Sequence, residues 1–126
     1  MVADSSTAGN TGSATLQFAH YTKVGRQVTV SAQLTNIVTT GMTTTNVFYV
    51  RGFPFTSSTT NYSVGSVKTD NVVFEGSRTQ IISILGPNDS WMSFQVLGDG
   101  ITEANVDVSA LHPTTSDIAF TITYNV

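Results

Sequence analysis

The chain has 126 residues and a formal net charge of −3, with five basic residues, eight acidic residues and no cysteine. This length fits one domain with a sizeable core, and the lack of cysteine excludes disulfides, thiolate metal sites and a cysteine nucleophile. The basic residues are scattered, which argues against phosphate-driven nucleic-acid binding. No apolar run approaches the roughly 20 residues of a membrane-spanning helix, so membrane insertion is not expected.

The composition predicts a surface dominated by polar, uncharged residues. Only 10% of the residues are charged, against about 25% in ordinary soluble domains, and Thr, Ser and Asn take their place. Thr favours strands, whereas Ser and Asn favour turns. The first 14 residues are rich in Gly, Ser, Thr and Asn and have no apolar segment. They predict a flexible N-terminal linker, or the edge of a larger protein, ahead of one β domain over residues 15–126.

The first predicted hairpin is the clearest local feature. Residues 16–22 form its first strand and residues 23–25 turn the chain, because Gly25 supplies a positive φ. In the second strand, from Arg26 onward, apolar and polar residues alternate strictly, which predicts one buried and one solvated face. Its apolar positions are Val28, Val30, Ala32 and Leu34.

Further strands are predicted along the rest of the chain. They cover residues 47–51, 62–67, 71–75, 81–85, 91–97 and 118–124, with a turn at residues 68–71 between the second and the third of these. Pro54 ends the strand before it, and residues 101–113 fit either a strand or a helical turn around residues 108–111. About eight short strands separated by turn signals indicate an all-β fold, an antiparallel β-sandwich or a barrel, of which we expect the sandwich.

Three segments in order resemble a known family. They are "YTKVGRQVTV" at residues 21–30, "GFPFTSS" at residues 52–58 and the terminal "FTITYNV" at residues 120–126. Together they resemble the C-terminal domains of bacteriophage tail-fibre and minor structural proteins. The resemblance covers most of the chain from about residue 16, although residues 61–115 match only in being strand-rich. The Gly-rich turn that usually precedes the Tyr in this family is missing here.

The resemblance implies a jelly-roll-like β-sandwich at a fibre tip, located in the virion. It also implies a homotrimer that contacts other virion proteins and attaches without catalysis to a bacterial surface receptor, a glycan or a protein. Three linked copies would gain avidity from weak individual sites. A second hypothesis is a structural trimerisation cap, head fibre or capsid decoration protein that binds no receptor.

The expected ligand site combines aromatic and polar side chains. Sugars stack on flat aromatic rings, while amides and carboxylates supply hydrogen bonds. The residues of this expected site are Trp91, Tyr62, Asn61, Asn88 and Asp89. The competing interpretation places Trp91, the only tryptophan, in the core. Phe53 and Phe55 flank Pro54 and are the expected subunit interface, unless both rings plug the end of the sandwich.

Neither catalysis nor a cofactor is expected. The two histidines, His20 and His112, are far apart and lack the spacing of metal ligands. A polysaccharide depolymerase would need two carboxyl groups roughly 5 to 10 Å apart. Its possible sources each lie beside turn-forming residues, which favours a role in turns. These sources are Asp89, Asp99, Asp107 and Asp117.

Overall fold

The computed structural model describes residues 1–6 and 9–126 of an all-β chain. Strands make up 59% of the described residues, which contain no α-helix. The strands are β1 Val2–Asp4, β2 Ser13–Val24, β3 Gln27–Val38, β4 Phe48–Arg51, β5 Ser63–Asp70, β6 Gln80–Leu85, β7 Trp91–Gly98, β8 Ile101–Asn105 and β9 Ser116–Asn125. A 3-10 helix, Val108–Ala110, precedes β9.

The strands form one antiparallel sheet that is nearly closed into a barrel. The order is β1-β4-β7-β6-β5-β9-β3-β2, and β8 pairs with β7 off this path. After β1 the chain returns beside it, through a bridge between Ala3 and Thr11 and hydrogen bonds from the Asp4 N–H to the Asn10 carbonyl and from the Gly12 N–H to the Val2 carbonyl. Among the described residues, β2 then pairs only with β3. The barrel therefore stays open along a seam between β2 and the β1–β4 pair.

The core consists of the inward faces of the central strands. Burial alternates along the whole of β9, along β3 as far as Leu34 and along β7 as far as Val96, as a half-buried strand requires. Each large apolar side chain buried in this way contributes about 1.5–3 kcal/mol to the free energy of unfolding. The largest fully buried side chains are Tyr124, Phe48, Phe94, Ile37, Leu85 and Met92. The predicted alternation is confirmed for residues 28–34 in the second strand of the hairpin, which is β3, and for the C-terminal strand, β9.

The N-terminal segment differs from the flexible linker predicted over residues 1–14. Val2–Asp4 forms β1, which pairs with Phe48–Val50 of β4, and all three of its side chains are buried. The polar composition of this segment gave no sign of a buried strand. Asp4 can be buried here because N–H groups donate hydrogen bonds to both of its carboxylate oxygens. Residues 7 and 8 of the predicted linker lie outside the described residues.

Two strand predictions are corrected in the middle of the chain. β5 extends to Asp70 through most of the predicted turn, and residues 71–75 form no strand, only a bridge from Val72 to Leu111. The strand ends because Asn71 has a φ of 54°, which no regular strand accommodates. Residues 101–113 contain both alternatives in succession, β8 and then the 3-10 helix.

Candidate functional site

A stacked aromatic pair lies on the outer face of the sheet where β4 meets β7. The buried side chains Phe48 and Val50 point inward from β4, so Tyr49 points outward between them. Trp91 points outward from the start of β7, since the next residue, Met92, is buried. The two ring centroids are 4.1 Å apart, with an interplanar angle of 27°. Both rings are half-buried and retain surface toward solvent.

The turn between β6 and β7 is fixed beside this pair by Ser57. The buried Ser57 hydroxyl donates to the Gly86 carbonyl at 2.5 Å and accepts from the Asp89 N–H at 3.0 Å. The Ser57 N–H in turn donates to the Asp89 carbonyl at 2.9 Å. This double clamp ties the loop after β4 to the turn and holds the backbone of Asp89 in place.

The Asp89 carboxylate lies over Gly86, close to the ring of Tyr62. A Cβ at Gly86 would be 2.3 Å from Asp89 Oδ2 and 3.6 Å from Tyr62 Cε1. Glycine is therefore what lets the carboxylate approach the backbone here. Tyr62 is 71% exposed, so its ring is free to contact a ligand. We call the surface formed by Tyr49, Tyr62, Asp89 and Trp91 the aromatic site.

Electrostatics connects the members of the aromatic site. Burial raises the pKa of Asp89 above its ordinary value. Burial also raises the pKa of Tyr49, and the negative charge of Asp89 raises it further, while Arg51 lowers it. The Arg51 guanidinium lies 5.9 Å from the centroid of the Tyr49 ring, within the range of a cation–π contact. The site therefore offers aromatic faces, a carboxylate acceptor and a neighbouring cation.

The structure brings together part of the residue set predicted from the sequence. The Asp89 carboxylate and the Tyr62 ring both lie near Gly86, and Tyr49, which feels the charge of Asp89, stacks on Trp91. Asn88 is exposed in the same turn, where its φ is 61° and its N–H donates to the Ser58 carbonyl. Asn61 instead lines a separate polar cavity of about 400 Å³ with Arg26, Ser58, Thr60 and Asn125. Trp91 lies on the outer face and not in the core.

Phe53 and Phe55, the expected subunit interface, are half-buried against the domain itself. The Phe53 ring lies 6.1 Å from that of Phe120 and 5.9 Å from that of Tyr124. The Phe55 ring meets the edge of Tyr21 at 5.6 Å and lies 5.0 Å from Lys23 Nζ. Both rings thus pack against the domain itself, and Phe53 also lines the cavity between β2 and β4.

The other titratable groups do not assemble into a recognisable centre among the described residues. His20 stacks on Phe18, and His112 Nδ1 is 2.9 Å from the Thr115 hydroxyl. Across residues 1–6 and 9–126, no cluster of three or more His, Asp or Glu side chains is placed to hold a metal ion.

The carboxylates considered for hydrolysis lie in separate parts of the fold. Asp99 lies in the turn from β7 to β8, and Asp117 accepts a hydrogen bond from the Asn36 N–H. Burial raises the pKa of Asp107, and the charge of the exposed Glu75 raises it further. Hydrolysis needs an acid and a second carboxylate facing one bond. None of the cavities described borders both Asp107 and Glu75.

Sequence reasoning missed Tyr49, Arg51 and Ser57. Residues 47–50 are apolar or aromatic at every position, so this segment resembles a strand buried on both faces. The signal that was available is the alternation itself, because Tyr49 and Arg51 occupy the opposite face from Phe48 and Val50. The role of Ser57 depends on a contact with a turn 29 residues away, and no local sequence pattern predicts such a contact.

Comparison of the chain with protein-family models, with curated proteins and with solved structures gave no match. Within the part of the chain that the structure describes, no helix is long and apolar enough to cross a membrane. The aromatic site and the open seam are the features from which function can be inferred.

Proposed function

We propose that this chain is a non-enzymatic receptor-binding domain that attaches a phage fibre tip to a bacterial surface glycan. The observation that carries the proposal is the half-exposed Tyr49–Trp91 pair, with Asp89 and the exposed Tyr62 beside it. Small-ligand sites combine apolar and aromatic surface with a few fixed polar groups, and this surface offers that combination.

Each group of the aromatic site has a distinct role in holding a sugar. The C–H face of a pyranose ring packs on Trp91 or on Tyr62. The Asp89 carboxylate accepts hydrogen bonds from sugar hydroxyls, and charge-assisted bonds of this kind are stronger than neutral ones. Tyr49 supports the Trp91 ring from below through their stacking contact. Because the Ser57 clamp fixes the turn in advance, little ordering is required when the ligand binds.

The proposal includes a homotrimer in the virion and a jelly-roll-like sandwich, as implied by the resemblance to tail-fibre domains. A shallow site on a sheet surface binds one sugar weakly, whereas three linked copies raise the effective affinity without new contacts. Neighbouring virion proteins would hold the copies in place.

A structural cap or decoration protein that binds no receptor is the second candidate. The observation that favours it is the exposed apolar surface of β2, where Leu16, Tyr21 and Val24 are each more than half exposed. Such a surface suits assembly, and assembly alone would satisfy the second candidate.

Binding to bacterial cells separates the two candidates. Fluorescently labelled protein is incubated with a panel of bacteria and with their purified surface polysaccharides, and the bound fraction is measured. The receptor-binding proposal expects saturable binding to some strains, lost on Tyr62→Ala but kept on Val73→Ala, a matched change at another exposed residue. Absence of binding to every strain and polysaccharide would favour the structural cap. Release of reducing ends from a bound polysaccharide would instead indicate a depolymerase.

A further inference from the structure

Strand β2 is exposed to an unusual degree for a strand of 12 residues. It is the last strand of the sheet path, and within residues 1–6 and 9–126 it pairs only with β3. Leu16, Phe18, Tyr21 and Val24 are 56%, 43%, 53% and 73% exposed. A long edge with apolar side chains is a template for pairing with another strand, which monomeric proteins normally avoid.

Both faces of β2 carry exposed apolar side chains. Leu16, Ala19 and Tyr21 pair with Leu34, Ala32 and Val30, so they lie on the core side of the sheet. Phe18 and Val24 pair with the polar residues Gln33 and Gln27 on the outer side. A strand with one solvated face alternates apolar and polar residues, whereas one covered on both faces does not. β2 departs from the pattern of a strand with one fully solvated face, because apolar side chains are exposed on both of its faces.

The core-side face of β2 opens into a groove along the seam. This seam groove has a volume of about 340 Å³. Its walls are mainly apolar, and Met1, which is 65% exposed, lies at its border. The lining includes Leu16, Ala19, Tyr21, Leu34, Phe53 and Pro54. The groove therefore runs beside the Leu16–Tyr21 part of the free edge and reaches core residues such as Leu34.

The pairing edge is regular where the exposed apolar residues are densest. The register irregularities of β2 lie between Ser13 and Thr15 and between Leu16 and Phe18. From Phe18 to Val24 the strand pairs with β3 without interruption. An added strand would therefore find an even row of free backbone groups along this half of β2.

We propose that a second copy of this chain docks on β2, adding a strand along its free edge and covering the seam groove. Because the exposed side chains lie on both faces of β2, an added strand is the arrangement that contacts both at once. The inference concerns the assembly part of the proposed function and does not depend on the aromatic site.

The exposed area is close to what one side of a contact between two copies needs. Large apolar side chains have on the order of 150–250 Å² of surface each, so Met1 and the four exposed apolar residues of β2 leave roughly 600 Å² uncovered. A monomer rarely shows a larger apolar patch than about 300–600 Å², and a stable interface buries about 800 Å² per partner. The interleaved polar side chains of β2 supply the difference.

The charges of the patch are compatible with self-association. β2 contains one charged residue, Lys23, and no carboxylate, while the whole chain has a net charge of −3. Because the second copy has a net negative charge, it does not repel the single positive charge of Lys23 overall. If the β2 strands of two copies pair antiparallel, their Lys23 side chains lie at opposite ends of the contact.

The test is the solution mass of the full chain, measured by sedimentation and light scattering from low to high micromolar concentration. We expect a multiple of 13.4 kDa, and Leu16→Lys and Phe18→Lys should each weaken association by about tenfold or more, because they place like charges in the contact. Val64→Lys, at a residue 59% exposed on β5, is the matched control and should leave the mass unchanged. Circular dichroism verifies that each variant is folded.

Hydrogen exchange of the wild-type protein provides a test that needs no variant. The amides of residues 18–24 should exchange more slowly at high than at low protein concentration. A mass of one chain at all concentrations, or an association that both β2 variants leave intact, would overturn the inference. A dimer that the β2 variants weaken would support β2 docking while contradicting the trimer of the proposed function. A trimer that they weaken would support both, with β2 pairing with a different edge strand of the next copy, and a trimer that they leave intact would overturn β2 docking.

Discussion

The carboxylate of Asp4 accepts a hydrogen bond of 2.6 Å from the backbone N–H of Thr43, a residue 39 positions away. Oδ1 accepts from the Ser6 N–H at 2.8 Å, and Oδ2 also accepts from the Asn10 side-chain amide at 3.1 Å. One fully buried charge thus ties β1 to the loop after β3. This network makes the N-terminal segment part of the domain, although its composition is that of a linker.

Replacing Asp4 with Asn should destabilise the fold. Both carboxylate oxygens face N–H donors, so the amide nitrogen of Asn would face a donor whichever way it turns. We expect a loss of about 1.5–3 kcal/mol in the free energy of unfolding, measured by urea denaturation at neutral pH. Glu103→Gln, at an exposed position on β8, is the control. Equal midpoints for the Asp4 variant and the wild type would contradict the role of this network.

Acid should remove the contribution of Asp4. Burial by itself raises the pKa of this carboxyl, but hydrogen bonds from Thr43, Ser6 and Asn10 outweigh burial and hold the pKa well below its ordinary value. The unfolded chain then binds the proton first, near an ordinary pKa of about 4. The stabilisation is complete above that pH and declines as the pH falls toward the folded-state pKa. Urea midpoints between neutral pH and strong acid should show the wild type converging on Asp4→Asn.

Asp89 should behave in the opposite way. Burial raises its folded-state pKa, so the folded state binds the proton more tightly and stability falls as pH rises through the window above the ordinary value. Asp89→Asn should therefore keep or raise the urea midpoint at neutral pH while weakening sugar binding. A variant that unfolds more easily and binds sugar normally would assign Asp89 a structural role instead.

Two glycine substitutions should separate damage to the site from damage to the fold. At Gly86 an added Cβ meets the movable end of the Asp89 side chain, so Gly86→Ala should shift the carboxylate and weaken binding with little effect on folding. At Gly65 it would lie 2.4 Å from the Thr121 carbonyl and 2.8 Å from Ile122 Cβ. Gly65→Ala should therefore cost about 1–3 kcal/mol of stability. Thermal melts and sugar titrations of both variants check this contrast.

The sequence predicts the strands whose pattern is local and periodic. The alternation in β3 and β9 and the glycine of the β2–β3 turn are sufficient to place those strands. β1 could not be predicted, because its stability comes from β4 and from the Asp4 network. The predicted strand at residues 71–75 is absent because Asn71 ends β5 with a positive φ. Asn tolerates this conformation, but the sequence does not show at which Asn it occurs.

The candidate site was predictable only in part for the same reason. Trp91, Tyr62 and Asp89 stand out by residue type, and the structure places them on one surface through Tyr49 and Gly86. That juxtaposition depends on the pairing of β4 with β7 and on the Ser57 clamp. Both are long-range contacts, which residue spacing does not encode.

The most direct test of the account is the fluorescence of Trp91, the only tryptophan of the chain, during titration with purified bacterial surface polysaccharides. Because Trp91 is part of the aromatic site, a bound sugar changes the polarity around its ring. We predict a saturable change in Trp91 emission with at least one polysaccharide. The change should be smaller in Tyr62→Ala and in Asp89→Asn. Binding to bacterial polysaccharide that leaves the Trp91 emission unchanged, and that both variants retain, would contradict the assignment of the aromatic site.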